Sequence, residues 1–88
     1  MKAKRWTVDI FIDEGEGHTN ARARLNTGVE PHLTGFGRAK LNPDDVDVPE
    51  IGDELAAARA LIELGNRLLA TAARDIESIT KEPAHLHS

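Results

Sequence analysis

The first part of the chain alternates between apolar and polar residues, the pattern of a half-buried β-strand. Residues 5–13 carry apolar side chains on one face, namely Trp6, Val8, Ile10 and Ile12. The next stretch, residues 14–17, contains Gly15 and Gly17, which can supply the positive φ angles that a hairpin loop needs. The pattern therefore predicts a strand followed by a tight connection.

Residues 18–26 alternate again, and their smaller apolar side chains share one face: Thr19, Ala21, Ala23 and Leu25. Placing Asp13 opposite His18 aligns this face with the apolar face of the first strand. The same register puts Asp9 opposite Arg22 on the other face, where opposite charges pair favourably. We therefore predict an antiparallel hairpin in this register.

A third strand is predicted over residues 33–41, after a polar loop that carries Gly28 and Pro31. Its presumed core face has small residues, with Gly35 and Gly37 at the centre. Glycine within a strand often marks the close approach of another segment. We expect the small residues of the second and third strands to form a shallow trough for a bulky element.

Apolar residues at three- and four-residue spacing predict that this element is a long helix. The stripe consists of Ile51, Leu55, Ala58, Ile62, Gly65, Leu69, Ala72, Ile76 and Ile79. A helix of this length reaches about 45 Å, whereas a nine-residue strand spans about 30 Å. The helix must therefore overhang the sheet, bend, or find a second partner.

The helix start has its own signals. Asp47 and Glu50 fit a capping box with Asp47 as N-cap, and Pro49 fits the first turn. A competing start lies at Asp53, and Lys81 and Pro83 mark the end of the helix.

Together the patterns predict an α+β fold, a two-layer β-β-β-α arrangement in one domain over residues 1–88. A three-stranded antiparallel meander, with strands at about 5–13, 18–26 and 33–41, packs on one long C-terminal helix at about 48–80, and a short tail follows.

Composition limits the function classes. The 88 residues carry a net charge of −4 and no cysteine, which excludes disulfides and thiolate chemistry. Aromatic residues make up 3%, so the core must be aliphatic. Neither a membrane-spanning run nor a signal peptide is recognisable, and we expect a soluble cytoplasmic protein without membrane contact.

The helix has a second apolar flank beside the main stripe, formed by Ala57, Leu61, Leu64 and Leu68. One interpretation is that the sheet curls around the helix or the tail covers this flank. The other is a surface for self-association, because exposed leucine patches usually mark contacts. We expect the latter, with a second copy of the chain as the partner.

The outer face of the sheet offers another candidate surface, for nucleic acid or a protein partner. It carries Phe11, Arg22, Arg24, Phe36, Arg38 and Lys40. Aromatic rings beside arginines can stack bases and hold phosphates. The alternative is an ordinary solvated or dimer-contact face, and the negative net charge disfavours nucleic acid.

Catalysis and metal binding have little support. Ser78 and Ser88 are the only serines, and no nucleophile, base and orienting group can be nominated together. The tail residues His85 and His87 lack a third ligand at an obvious spacing. We expect no enzyme, no cofactor, and neither catalytic nor metal-ligating residues.

Three motifs identify a resemblance that covers nearly the whole chain. They are WTVDI at residues 6–10, RAKLNP at residues 38–43 and VPEIGDELAAARAL at residues 48–61. The chain resembles a family of small actinobacterial proteins built of one domain of unknown function. The resemblance implies an architecture like that of double-stranded-RNA-binding domains without the leading helix, and it implies no activity.

True double-stranded-RNA-binding domains place a lysine cluster at the start of the final helix. Here that stretch, residues 44–54, is acidic, so phosphates would be repelled. We therefore predict a non-catalytic, homo-oligomeric interaction or accessory domain. The alternative is a weak nucleic-acid-binding module that uses the outer sheet face.

Overall fold

The computed structural model describes residues 1–41 and 48–86. Three strands, β1 (Thr7–Gly15), β2 (His18–Asn26) and β3 (Thr34–Lys40), precede one long helix, α1 (Pro49–Thr80). The strands form an antiparallel sheet in the order β1-β2-β3, and α1 lies across one face. The predicted α+β arrangement of a meander followed by a C-terminal helix is confirmed.

The hairpin between β1 and β2 is tighter than the sequence pattern indicates. Gly15 pairs with His18, which leaves a two-residue loop in which Gly17 has a φ of +71°. The register therefore differs by two residues from the predicted one, and Asp9 lies opposite Arg24 instead of Arg22. A shift of two residues keeps every side chain on its face, so alternation alone does not distinguish the two registers.

The core lies between α1 and the strands β2 and β3. It consists of small and aliphatic residues: Ala21, Ala23, Leu25, Ala39, Ala56, Ala60 and Leu64. Gly35 and Gly37 let the helix backbone touch β3, because a Cβ atom on either glycine would overlap backbone atoms of α1. The trough predicted from these glycines therefore exists, and it holds helix backbone.

The helix face that occupies this trough is not the predicted one. The residues against the sheet recur every four positions, at Ala56, Ala60 and Leu64, and these are buried. Ile51 and Ile62, from the stripe that was predicted to face the sheet, are 54% and 64% exposed. The prediction was wrong because the glycine trough accepts the small side chains of a closely seated helix and has no room for a row of bulky ones.

Because a different face of α1 meets the sheet, one residue predicted for self-association lies in the core. Leu64, placed on the self-association flank with Leu61, is a core residue with 3% exposure. Leu61 remains 42% exposed.

The two ends of α1 differ in how they are closed. At the start, Val48 occupies the capping position in an extended conformation, and Pro49 is the first helical residue. The predicted capping residue Asp47 lies outside the described residues. At the other end, Lys81 adopts a φ of 62°, and its amide donates to the Glu77 carbonyl at 2.7 Å.

The tail turns back along the last part of the helix. The amide of Ala84 donates to Oε1 of Glu77 at 2.9 Å, and residues 84–86 line a shallow cleft with Leu69 and Ala73. The tail therefore covers a different part of α1 from the flank around Leu61.

Candidate interaction surfaces

The apolar face of β1 is left uncovered on the helix side of the sheet. Ile10 pairs with the fully buried Ala23, so its side chain lies on the same face of the sheet. Yet Ile10 is 39% exposed, and its neighbours Val8 and Ile12 are 40% and 41% exposed. We call the exposed side chains of Val8, Ile10 and Ile12 the β1 floor. It lies beside α1, because the helix is seated over the other two strands.

The helix forms an apolar wall next to this floor. Arg59 and Glu63 lie on the flank that contacts β3, so the opposite flank, with Leu61 and Leu68, faces β1. Leu61 is largely exposed, and Ala57 and Leu68 are half-buried. Three of the four residues predicted for self-association therefore border the β1 floor, and we call them the helix flank.

A third apolar surface lies on the side of α1 that points away from the sheet. Residues 51, 55, 58 and 62 fall roughly opposite the buried row of Ala56 and Ala60 on a 3.6-residue helix. Leu55 and Ile62 on this side are 45% and 64% exposed. We call this surface the helix back.

Between Leu55 and Leu68, only one side of α1 is polar. This polar sector consists of Arg59, Glu63, Asn66 and Arg67. The amide of Phe36 donates to Oε1 of Glu63 at 3.0 Å, and Arg59 Nη1 donates to the Arg38 carbonyl at 2.7 Å. Glu63 and Arg59 of this sector therefore close the outer edge of β3.

The outer face of the sheet brings part of the predicted basic and aromatic set together. The guanidinium carbons of Arg22 and Arg24 lie 4.8 and 5.5 Å from the centre of the Phe11 ring. These are cation–π distances. Arg24 also forms an ion pair with Asp9 at 3.8 Å, a half-exposed pair that contributes little to stability.

The rest of the predicted set is arranged differently. Phe36 pairs across the sheet with Arg22, and its ring centre lies 5.8 Å from the guanidinium carbon of Arg67. Arg38 and Lys40 are exposed on β3. Sequence reasoning missed Arg67, although its position four residues after Glu63 predicts the 3.1 Å ion pair that holds it there.

A cleft of about 290 Å³ opens between the hairpin and the start of α1. His18, Thr19 and Gly52 line it, and Nδ1 of His18 lies 3.1 Å from the Glu16 carbonyl oxygen. Leu41 and Val48 also line the cleft.

Among residues 1–41 and 48–86, no three histidine or carboxylate side chains are grouped so that they could hold a metal ion. In the same part of the chain, no helix combines the length and hydrophobicity that crossing a membrane requires.

Comparison with known proteins finds relatives along almost the whole chain. A family model described as Rv2632c-like matches residues 4–85. The uncharacterized proteins Mb1767 of Mycobacterium bovis and MT1780 of Mycobacterium tuberculosis are each 57% identical over 83 residues, which is 94% of this chain and 87% of theirs. The uncharacterized protein Rv2632c of Mycobacterium tuberculosis is 44% identical over 80 residues, or 91% of this chain and 85% of its own.

A solved structure has the same fold. The crystal structure of Rv2632c superposes with a TM-score of 0.84 at 42% sequence identity, covering 94% of this chain and 98% of that one.

Proposed function

We propose that this chain, which belongs to the Rv2632c-like family, acts as a non-catalytic, homo-oligomeric interaction or accessory module. The observation that carries the proposal is the apolar surface that the chain leaves uncovered on β1 and on two sides of α1. Large contiguous apolar patches on small soluble domains mark sites of association. The cytoplasmic location that the sequence predicts is part of the proposal.

The size of the exposed surface determines what kind of contact is needed. Covering a half-exposed Ile or Leu side chain contributes about 1 kcal/mol. Association costs roughly 4–15 kcal/mol in lost freedom of motion. A contact through the β1 floor alone is therefore too weak, and a stable assembly has to cover the floor, the helix flank and the helix back together.

The experiment is a measurement of molecular mass in solution by light scattering and sedimentation over a range of protein concentrations. We expect the unmodified chain to be an oligomer and Leu61→Lys to shift it toward monomer, because the lysine would place a charge in the buried contact. Asn66→Lys, on the polar sector of the same helix, is the matched control and should leave the mass unchanged. A chain that stays monomeric at the highest attainable concentration would refute the proposal.

A second candidate function is favoured by one observation on the outer sheet face. Arg22 and Arg24 lie over the ring of Phe11, a combination that suits stacked bases and phosphates of single-stranded nucleic acid. The architecture like that of double-stranded-RNA-binding domains, implied by the family resemblance, stays a prediction. The start of α1 is acidic, with Glu50, Asp53 and Glu54, and would repel phosphates at that end of the helix. The net charge of −4 disfavours phosphate binding in general.

Fluorescence anisotropy with labelled single-stranded RNA at several salt concentrations tests this alternative. Nucleic-acid binding on the outer face predicts affinity that falls steeply with salt and is lost in Arg22→Glu. Arg74→Glu, a charge reversal on α1, is the control for net charge. Equal losses in the two variants, or binding that ignores salt, would count against a site on the outer face.

A further inference from the structure

We propose that two copies of the chain pack face to face about a twofold axis, so that α1 of each copy lies over the β1 floor of the other. The inference rests on the proposed homo-oligomeric function and specifies its surface. The two helices would form a central layer between two three-stranded sheets.

The distribution of apolar residues around α1 is the first argument. Ala56, Ala60 and Leu64 face the sheet of their own chain, whereas Leu61 on the helix flank and Ile62 on the helix back remain exposed. A helix that is apolar on most of its circumference belongs inside a structure. The sheet of one chain covers a single side of α1, so the two other apolar sides need a partner.

The spacing of the strands supplies the second argument. The backbone of α1 is seated over Gly35 and Gly37 of β3, and β1 lies two strands away. Two strand spacings are about 9–10 Å, and packed helices lie 8–10 Å apart. A second helix packed against the helix flank therefore lands on the β1 floor.

Symmetry then determines the contacts. A twofold axis parallel to α1 places the two helices side by side and the two sheets on opposite sides of them, whereas an axis perpendicular to α1 does not do both. The helices are then parallel, so Leu61 and Leu68 face their own counterparts in the second copy. The helix back of each copy rests on the β1 floor of the other.

The polar residues agree with this arrangement. The polar sector, which includes Arg59 and Glu63, lies on the flank away from β1 and stays at the outside of the pair. The outer sheet faces, with Phe11 and Arg22, also remain in solvent. Between Leu55 and Leu68 no charged group has to be buried, which is the condition for a favourable apolar interface. Glu54 and Asp75, one heptad before Leu61 and one heptad after Leu68, mark the two ends of the apolar contact, where charged side chains meet solvent.

The absence of cysteine from the chain allows a direct test. We expect Leu61→Cys to form a disulfide between two copies rapidly under mild oxidation, because like residues meet across a parallel helix pair. Asn66→Cys on the polar sector should form it only at the slow rate of random collisions. Non-reducing electrophoresis over time measures both rates at the same protein concentration.

A pair of lysine substitutions tests the second half of the contact. Ile10→Lys, on the β1 floor, should lower the mass in solution, whereas Phe11→Lys, on the outer face of the same strand, should leave it unchanged. Circular dichroism checks that both variants fold.

The outcomes separate this inference from the proposed function. A monomeric unmodified chain would overturn both. An oligomer in which Leu61→Cys reacts no faster than Asn66→Cys, or which survives Ile10→Lys, would retain the homo-oligomeric function and overturn the face-to-face arrangement.

Discussion

The backbone amide of Phe36 donates a hydrogen bond to Oε1 of Glu63 at 3.0 Å, which ties the outer edge of the sheet to the middle of α1. An open strand edge is a template for unwanted pairing with other chains. Arg59 acts in the same way on the Arg38 carbonyl. The helix therefore both covers one face of β3 and occupies its edge.

We expect Glu63→Ala to lower the free energy of unfolding by about 1–2 kcal/mol, because the Phe36 amide loses a charged acceptor. Urea denaturation followed by circular dichroism measures the change. Glu54→Ala, an exposed carboxylate on the same helix, should change stability by less than about 0.5 kcal/mol. Equal effects in the two variants would show that the edge contact contributes nothing.

Gly37→Ala should destabilise the chain by roughly 1–3 kcal/mol or more, since its new methyl group would overlap the helix backbone and push α1 away from β3. Gly65→Ala is the matched control, because among the described residues nothing beyond the adjoining helix turns lies within 4 Å of its new atom. That exchange should stabilise the helix by up to about 1 kcal/mol. Thermal unfolding of both variants gives the comparison, and a neutral Gly37→Ala would contradict the close seating of the helix.

Leu64→Ala should cost about 2–5 kcal/mol, as expected for truncation of a buried leucine. Ile79→Ala, at an 82% exposed position of the same helix, should cost nothing measurable. The free energy of unfolding from urea titrations measures both. A large loss at Ile79 together with a small one at Leu64 would mean that the helix is rotated from the orientation described.

The strands were predictable because their residues alternate with a period of two. That Ile10 and Ala23 lie on the same side of the sheet follows from this pattern alone. The two-residue offset of the hairpin was not predictable from alternation, since Asp9 stays on the same face whether it pairs with Arg22 or Arg24.

The sequence also predicts the helix, but not which of its faces meets the sheet. The periodicity around Ile62 identifies an apolar stripe, and nothing in a periodic pattern says which of two apolar stripes meets the sheet. The informative signal was size: Ala56 and Ala60, four residues apart, match the small residues Gly35 and Gly37 across the contact.

The candidate surfaces were partly predictable. Leu61 and Leu68 were identified from their place beside the main stripe, and the structure puts them next to the β1 floor. The floor itself was not predicted as a contact surface. The sequence pattern shows that Ile10 lies on the helix side of the sheet. It does not show that the helix is seated toward β3 and so leaves β1 uncovered.

The backbone contact between α1 and β3 restricts how the sequence can change over evolutionary time. Glycine is already the smallest residue, so no exchange at Gly35 or Gly37 can make room for a larger residue at Ala56 or Ala60. The helix can only lift as a whole, which would draw the carboxylate of Glu63 away from the backbone of β3. Substitution at these small positions is therefore expected to require simultaneous change in the side chains that close the strand edge, which makes the group evolve as one unit.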